Sequence, residues 1–208
     1  MLINTYQVGP IDTNNYLVSD KESKEAILID CSGYKPEIIQ DVNEMGLNVK
    51  YILITHGHFD HVLGINKMKE ALGAEVYVPK EDIILIENIN RFAKQFAQEV
   101  DNIPQYDKTY EPGVVFKIGT HEFNVIKTAG HTEGGVCIYG NGVLFSGDTL
   151  FCNSFGRTDL YGGNFQDLKH SILNVLFYLP DNTKVYPGHN LATTIGAEKA
   201  HNEINKYR

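Results

Sequence analysis

Short runs of apolar, β-branched and aromatic residues open the chain. Leu2 to Val8, Tyr16 to Val18 and Ala26 to Asp30 have strand character, and the polar clusters Asp12-Thr13-Asn14-Asn15 and Asp20-Lys21-Glu22-Ser23 between them read as turns. This beginning predicts an antiparallel meander. From Pro36 the period changes: Ile38, Ile39, Val42 and Met45 recur at helical spacing, with Pro36 suited to the first turn and Gly46 to the stop. Tyr51 to Ile54 is a continuous apolar run of strand length. The polar stretch Thr55 to His61 follows, then an amphipathic helix near Gly64 to Leu72 closed by Gly73 and a strand Val76 to Val78, which together make a β-α-β passage. Glu81 to Val100 reads as helical and Asp101 to Pro112 as irregular. Strands return near Val114 to Ile118, Glu122 to Lys127, Val136 to Tyr139 and Val143 to Phe145, the pattern of a second antiparallel sheet. The tail holds a helix near Phe165 to Leu179, a strand Lys184 to Tyr186 and a helix from about Thr193 to Asn205. No repeat or linker interrupts the pattern. Two groups of strands with helices attached predict one α/β domain over residues 1–208, built on two packed sheets.

Composition narrows the possible partners. The 208 residues are 42% hydrophobic and 21% charged, as in an ordinary globular protein. Eighteen Lys plus Arg against 26 Asp plus Glu leave a net charge of −8, and no basic patch is concentrated anywhere, so nucleic acid is not an expected partner. The three cysteines, Cys31, Cys137 and Cys152, form no CxxC pair, which argues against a disulfide framework and against a thiolate zinc site. A reducing compartment fits them best. The N-terminus lacks a basic and apolar leader, and no run approaches the roughly 18 apolar residues that span a bilayer. The expectation is a cytoplasmic protein without a membrane partner.

The candidate chemistry sits in His56-Gly57-His58-Phe59-Asp60-His61, directly beyond the apolar run that ends at Ile54. Imidazoles and carboxylates suit zinc, iron or manganese, and alternate residues of an extended loop project two of them to one side. Asp60 and His61 follow closely enough to face a second ion. Four ligands cannot close two metal sites, so the pattern requires others far along the chain. His131 in Thr128-Ala-Gly-His-Thr132, Asp148 in Ser146-Gly-Asp-Thr149 and His189 in Tyr186-Pro-Gly-His189 each follow a predicted strand and a glycine. That glycine lets the backbone turn sharply and present the side chain at a sheet edge.

In these motifs, together with Ile29-Asp30, Gly156-Arg-Thr-Asp-Leu160 and Ala192-Thr-Thr-Ile-Gly196, the chain resembles the metallo-β-lactamase superfamily, and within it the compact glyoxalase II-like hydrolases. The resemblance covers essentially the whole length. It implies an αββα four-layer sandwich of two mixed β-sheets flanked by helices. It also implies two divalent ions, zinc first with iron or manganese as alternatives: one held by His56, His58 and His131, the other by Asp60, His61 and His189, with Asp148 bridging. Ala129, Cys31 and Asn190 depart from residues the family often carries, and none of them removes a ligand. Family members that use glutathione thioesters carry a further C-terminal helical region. This chain ends 19 residues after His189, so a dedicated glutathione site is not expected.

Residues outside the ligand set have plainer readings. His121, His170 and His201 lie outside every motif and read as surface or core histidines. Asp30 reads as an acid that orients a loop or a metal-bound imidazole, and Cys152 as a buried, inert thiol. Arg157 either contacts an anionic substrate or pairs with Asp159 to fix its loop. Phe92, Phe96, Tyr106 and Tyr110 line a substrate pocket or pack as core. Two ions sharing a water would make hydroxide available near neutral pH, with Asp60 and Asp148 as the acidic residues of the centre. The expected reaction is hydrolysis of a small-molecule acyl thioester. The alternatives are a lactone or other ester hydrolase of the same superfamily and a mononuclear iron persulfide dioxygenase. No residue pattern speaks to the oligomeric state.

Overall fold

The computed structural model describes residues Met1–Arg208. The chain has an α/β fold with two mixed six-stranded sheets and helices, and its backbone divides into two compact units. The first comprises Met1–Tyr110 and Lys117–His121, the second Glu111–Phe116 and Glu122–Arg208. No helix is long and apolar enough to cross a membrane.

The first unit opens with β1 (Leu2–Val8), β2 (Thr13–Ser19) and β3 (Glu25–Ile29), paired antiparallel. After helix α1 (Pro36–Met45), β4 (Asn48–Leu53) pairs parallel with β3. A single-turn helix α2 (Phe59–Val62) and α3 (Ile65–Leu72) lead to β5 (Glu75–Pro79), parallel to β4. Helices α4 (Ile83–Glu87) and α5 (Ile89–Ala93) precede β6 (Lys108–Tyr110), which completes the order β1-β2-β3-β4-β5-β6. On the central strands β3, β4 and β5, the residues Ile27, Leu28, Ile52, Leu53, Val76 and Val78 are fully buried. Pro36 starts α1 and Gly46 ends it in the left-handed region, while Ile38 and Val42 turn into the core.

Three local expectations are corrected here. Thr13, Asn14 and Asn15, expected in a turn, are buried members of β2, and the turn shrinks to residues around Asp12 at φ 54°. Burial is tolerable because the Asn15 side chain donates to Ser32 Oγ at 2.6 Å and accepts from Ser32 N at 3.0 Å. The helical stretch expected over 81–100 is broken at Asn88, whose side chain donates to the Ile84 carbonyl and competes with the helix ladder. The stretch expected to be irregular contains β6, held in place by Tyr110, whose hydroxyl donates to the Ile54 carbonyl.

Strands β7 (Val115–Ile118), β8 (His121–Lys127), β9 (Val136–Gly140) and β10 (Val143–Gly147) build the second sheet, and a two-stranded hairpin, β11 (Leu150–Phe151) and β12 (Ser154–Phe155), follows. Helix α6 (Phe165–His170) precedes β13 (Lys184–Pro187), β14 (Thr193–Thr194) and α7 (Ile195–His201). The order is β14-β13-β10-β9-β8-β7. Strands β8, β9 and β10 pair antiparallel as expected, and the sheet is mixed because a helical crossover returns β13 parallel to β10. Beyond His170 the expected long helix widens into a π turn at Ser171–Val175 and tightens into a 3-10 turn at Leu176–Tyr178. Glu198 on α7 is fully buried and accepts from Asn153 N, Thr193 Oγ1 and Asn202 Nδ2, tying the hairpin turn to the C-terminal segment.

Asp20 makes one end of the first unit acid-sensitive. The backbone N–H of Ser23 donates to its carboxylate and, with the Ser23 side chain, holds its pKa down at about 2. A folded-state pKa below the unfolded value of about 3.9 gives stability that is present above pH 4 and is lost as pH falls toward 2. Asp20→Asn should therefore flatten the acid limb of stability over that window in urea titrations. An acid limb identical to wild type would place the acid sensitivity elsewhere.

Candidate metal centre

In the first unit, His56 and His58 lie on the loop that leaves β4, and α2 carries Asp60 and His61. His56, Asp60 and His61 are buried, and the His56 ring centroid lies 4.8 Å from that of His58 and 4.0 Å from that of His61. Asp30, at φ 59° just past β3, organises this set. Its carboxylate accepts from Thr55 N at 2.8 Å, from Thr55 Oγ1 at 2.9 and 3.1 Å, and from His61 Nδ1 at 2.8 Å. A carboxylate only accepts, so His61 carries its proton on Nδ1 and its lone pair on Nε2. The Thr55 proton is committed to Asp30, so the Thr55 oxygen accepts from His56 Nδ1 at 3.2 Å and sets the same tautomer there. Asp60 Oδ2 accepts from Thr13 Oγ1 at 3.2 Å and lies 3.3 Å from His61 Nε2. Gly57 is pinned by its N–H to the buried Asp82 carboxylate at 2.8 Å, and a Cβ there would meet the Asp82 carbonyl at 2.8 Å.

The second unit gathers the other three expected ligands. Gly130, at φ 134°, turns the chain so that His131 Nδ1 donates to the Arg157 carbonyl at 2.7 Å. Its Nε2 lone pair therefore points the other way and lies 3.5 Å from Asp148 Oδ2. His189, presented by Gly188 just beyond β13, places its Nε2 3.5 Å from the same oxygen. The Gly188 N–H donates to the Gly147 carbonyl at 2.8 Å and holds the two loops together.

The donor set fits a divalent ion. Two ligand atoms about 2.1 Å from an ion at a tetrahedral angle lie about 3.4 Å apart. The His131, Asp148 and His189 spacings match that edge length and exceed an ordinary hydrogen bond. In His56, His61 and His131 the Nδ1 proton is committed to an acceptor, which is how metal-binding imidazoles are usually held.

Other expectations resolve residue by residue. The Arg157 guanidinium grips Asp159 in a two-bond fork at 2.6 and 2.7 Å, and this hydrogen bonding holds the Asp159 carboxyl down at about 2. Asp30 orients the His61 imidazole as expected. Cys152 is half-buried where a buried thiol was expected, because its Sγ sits at the hairpin turn as an acceptor for Asn153 Nδ2. Burial pushes the Cys137 thiol up to about 12 and raises Cys31, so both are neutral core groups. Tyr110 is core, while Phe96 is exposed and packs its ring against Phe59. Thr13, Thr55 and Asp82 escaped the sequence reading. A threonine or a lone acid has no period to mark it.

The model of the metallo-beta-lactamase superfamily matches residues 8–189. Hydroxyacylglutathione hydrolase GloC of Haemophilus influenzae is 35% identical over 208 residues, covering 97% of each chain. Two solved structures are similar throughout. The B3 metallo-beta-lactamase BLEG-1 is 33% identical with a TM-score of 0.89, over 97% of this chain and 98% of that one. TTHA1623, solved in a di-iron-bound form, is 35% identical with a TM-score of 0.83, over 98% of this chain and 99% of that one. With this fold, and with histidines and aspartates set as metal ligands, the chain belongs to the metallo-beta-lactamase superfamily and is one of its metallohydrolases.

Proposed function

We propose that the chain is a binuclear hydrolase of small acyl thioesters. In this reading His56, His58 and His131 hold one ion, Asp60, His61 and His189 hold the other, and Asp148 is shared. The observation that carries it is the locked tautomer of His56, His61 and His131, which leaves each Nε2 lone pair available to a metal. The ions, zinc first and iron or manganese otherwise, would supply hydroxide at neutral pH and polarise a carbonyl. The chain's own residues do the rest. Asp30 and Thr55 orient His61 and His56, Thr13 steadies Asp60, and the Arg157 carbonyl orients His131.

The likeness to the Haemophilus hydroxyacylglutathione hydrolase supports a thioester substrate, and the di-iron form of TTHA1623 supports iron as an alternative to zinc. The net charge of −8 supports a small-molecule substrate over nucleic acid, and three free cysteines support a reducing, cytoplasmic setting.

The test is thiol release under nitrogen from a panel of acyl thioesters that includes S-lactoylglutathione. Metal-loaded protein should release thiol, lose the activity to a chelator and regain it with zinc, iron or manganese. Oxygen uptake with glutathione persulfide and no thiol release would overturn the hydrolase in favour of a dioxygenase.

A further inference from the structure

We propose that the 156–159 loop is a latch for His131, locked by the Arg157–Asp159 ion pair; the inference rests on reading His131 as a metal ligand. The contacts of this loop are unusually close. A Cβ at Gly156 would lie 1.8 Å from the Asp148 carbonyl oxygen and 3.1 Å from His131 Nδ1, so only glycine brings the backbone against both groups. A Cβ at Gly163 would lie 2.4 Å from the Thr158 carbonyl oxygen, so the far side of the loop is seated as tightly. Between these seats the Arg157 carbonyl accepts the His131 Nδ1 proton at 2.7 Å.

The side chain of Arg157 closes the device. Nε and Nη2 donate to the two carboxylate oxygens of Asp159 at 2.6 and 2.7 Å, the parallel fork that gives Arg–carboxylate pairs their directionality. This fork closes a ring around Thr158 and removes the freedom that would let the Arg157 carbonyl swing away from the imidazole. Exposed ion pairs contribute little to global stability. The pair is more than half exposed, so its contribution lies in where it holds one carbonyl. Arg157 and Asp159 act here as positioning residues.

Loss of a partner of a metal-binding imidazole typically costs 10- to 100-fold in metal affinity, and the ion pair is one bond further away, so about three- to tenfold is expected. The experiment loads the full-length chain with zinc and titrates retention against a chelator. Arg157→Ala, Asp159→Ala and the shape-preserving Asp159→Asn should each weaken retention of one ion by about three- to tenfold. The Arg157→Ala/Asp159→Ala double variant should be no worse than either single one. In a His131→Ala background, Asp159→Ala should have no further effect, because no imidazole remains to be held. In the loaded protein, the His131 Nδ1–H signal should exchange slowly in the wild type and broaden in Asp159→Asn. Retention within twofold of wild type in the single variants, with His131→Ala clearly impaired, would sink the latch and leave the metal reading standing. An undiminished effect of Asp159→Ala without the imidazole would sink it too. Unchanged retention in His131→Ala itself would remove the ligand assignment, and the latch with it.

Discussion

Asp30→Ala should lower the stability of the fold by about 3 to 5 kcal/mol. The buried carboxylate takes three donors, Thr55 N, Thr55 Oγ1 and His61 Nδ1, and alanine removes the acceptor that all three share. Each buried donor left unsatisfied costs about 1 to 3 kcal/mol. Alanine also fits poorly at φ 59°, a region asparagine tolerates. At about 2 to 4 °C per kcal/mol for a chain of this size, thermal melting should fall by roughly 6 to 20 °C. Asp30→Asn separates the two causes: it keeps the backbone and one acceptor oxygen, and should fall between wild type and Asp30→Ala. A melting temperature for Asp30→Ala within 2 °C of wild type would show that the carboxylate is not the hub of the first ligand set.

The second large effect is expected on activity alone. Asp148→Asn keeps the shape of the side chain and removes its charge, at the oxygen that lies 3.5 Å from both His131 and His189. In the proposed centre two divalent ions would carry four positive charges against the two negative charges of Asp60 and Asp148, so losing one carboxylate would leave it far less compensated. Thiol release should fall at least about 100-fold, or about 2.7 kcal/mol of barrier. The melting curve should stay near wild type, since Asp148 lies on a loop beyond β10. Near-wild-type turnover with metal in excess would show that the shared carboxylate is misassigned.

What the sequence revealed follows from what periodicity and spacing can encode. The parallel strands β3, β4 and β5 were legible because buried strands are short continuous apolar runs, and α1 and α3 because each carries an apolar stripe ended by a glycine stop. The candidate ligands stood out because each histidine or aspartate follows a strand and, beyond the first cluster, a glycine. Elements of two residues, such as β11, β12 and β14, have no period to detect. The buried Thr13-Asn14-Asn15 segment was unreadable for a different reason. Its polar side chains look like a turn until Asp60 and Ser32, 47 and 17 residues away, are known to be their partners. The role of Arg157 was divided in the same way, because a backbone carbonyl leaves no mark on a sequence.

The path of the chain between the two units bears on how the protein can be cut and recombined. After Tyr110 it enters the second unit, returns to the first for Lys117–His121 and leaves again, crossing the boundary three times. The returning piece is functional mortar: Gly119 donates its N–H to Glu25 at 2.8 Å and sits so close to Asp20 that a Cβ would lie 2.1 Å from its carboxylate. A split made at Tyr110 would strip that brace from the first half, and a split after His121 would take Glu111–Phe116 from the second. The two units therefore cannot be exchanged as cassettes between homologues. Chimeras have to be joined at points that keep residues 111–121 with native partners on both sides.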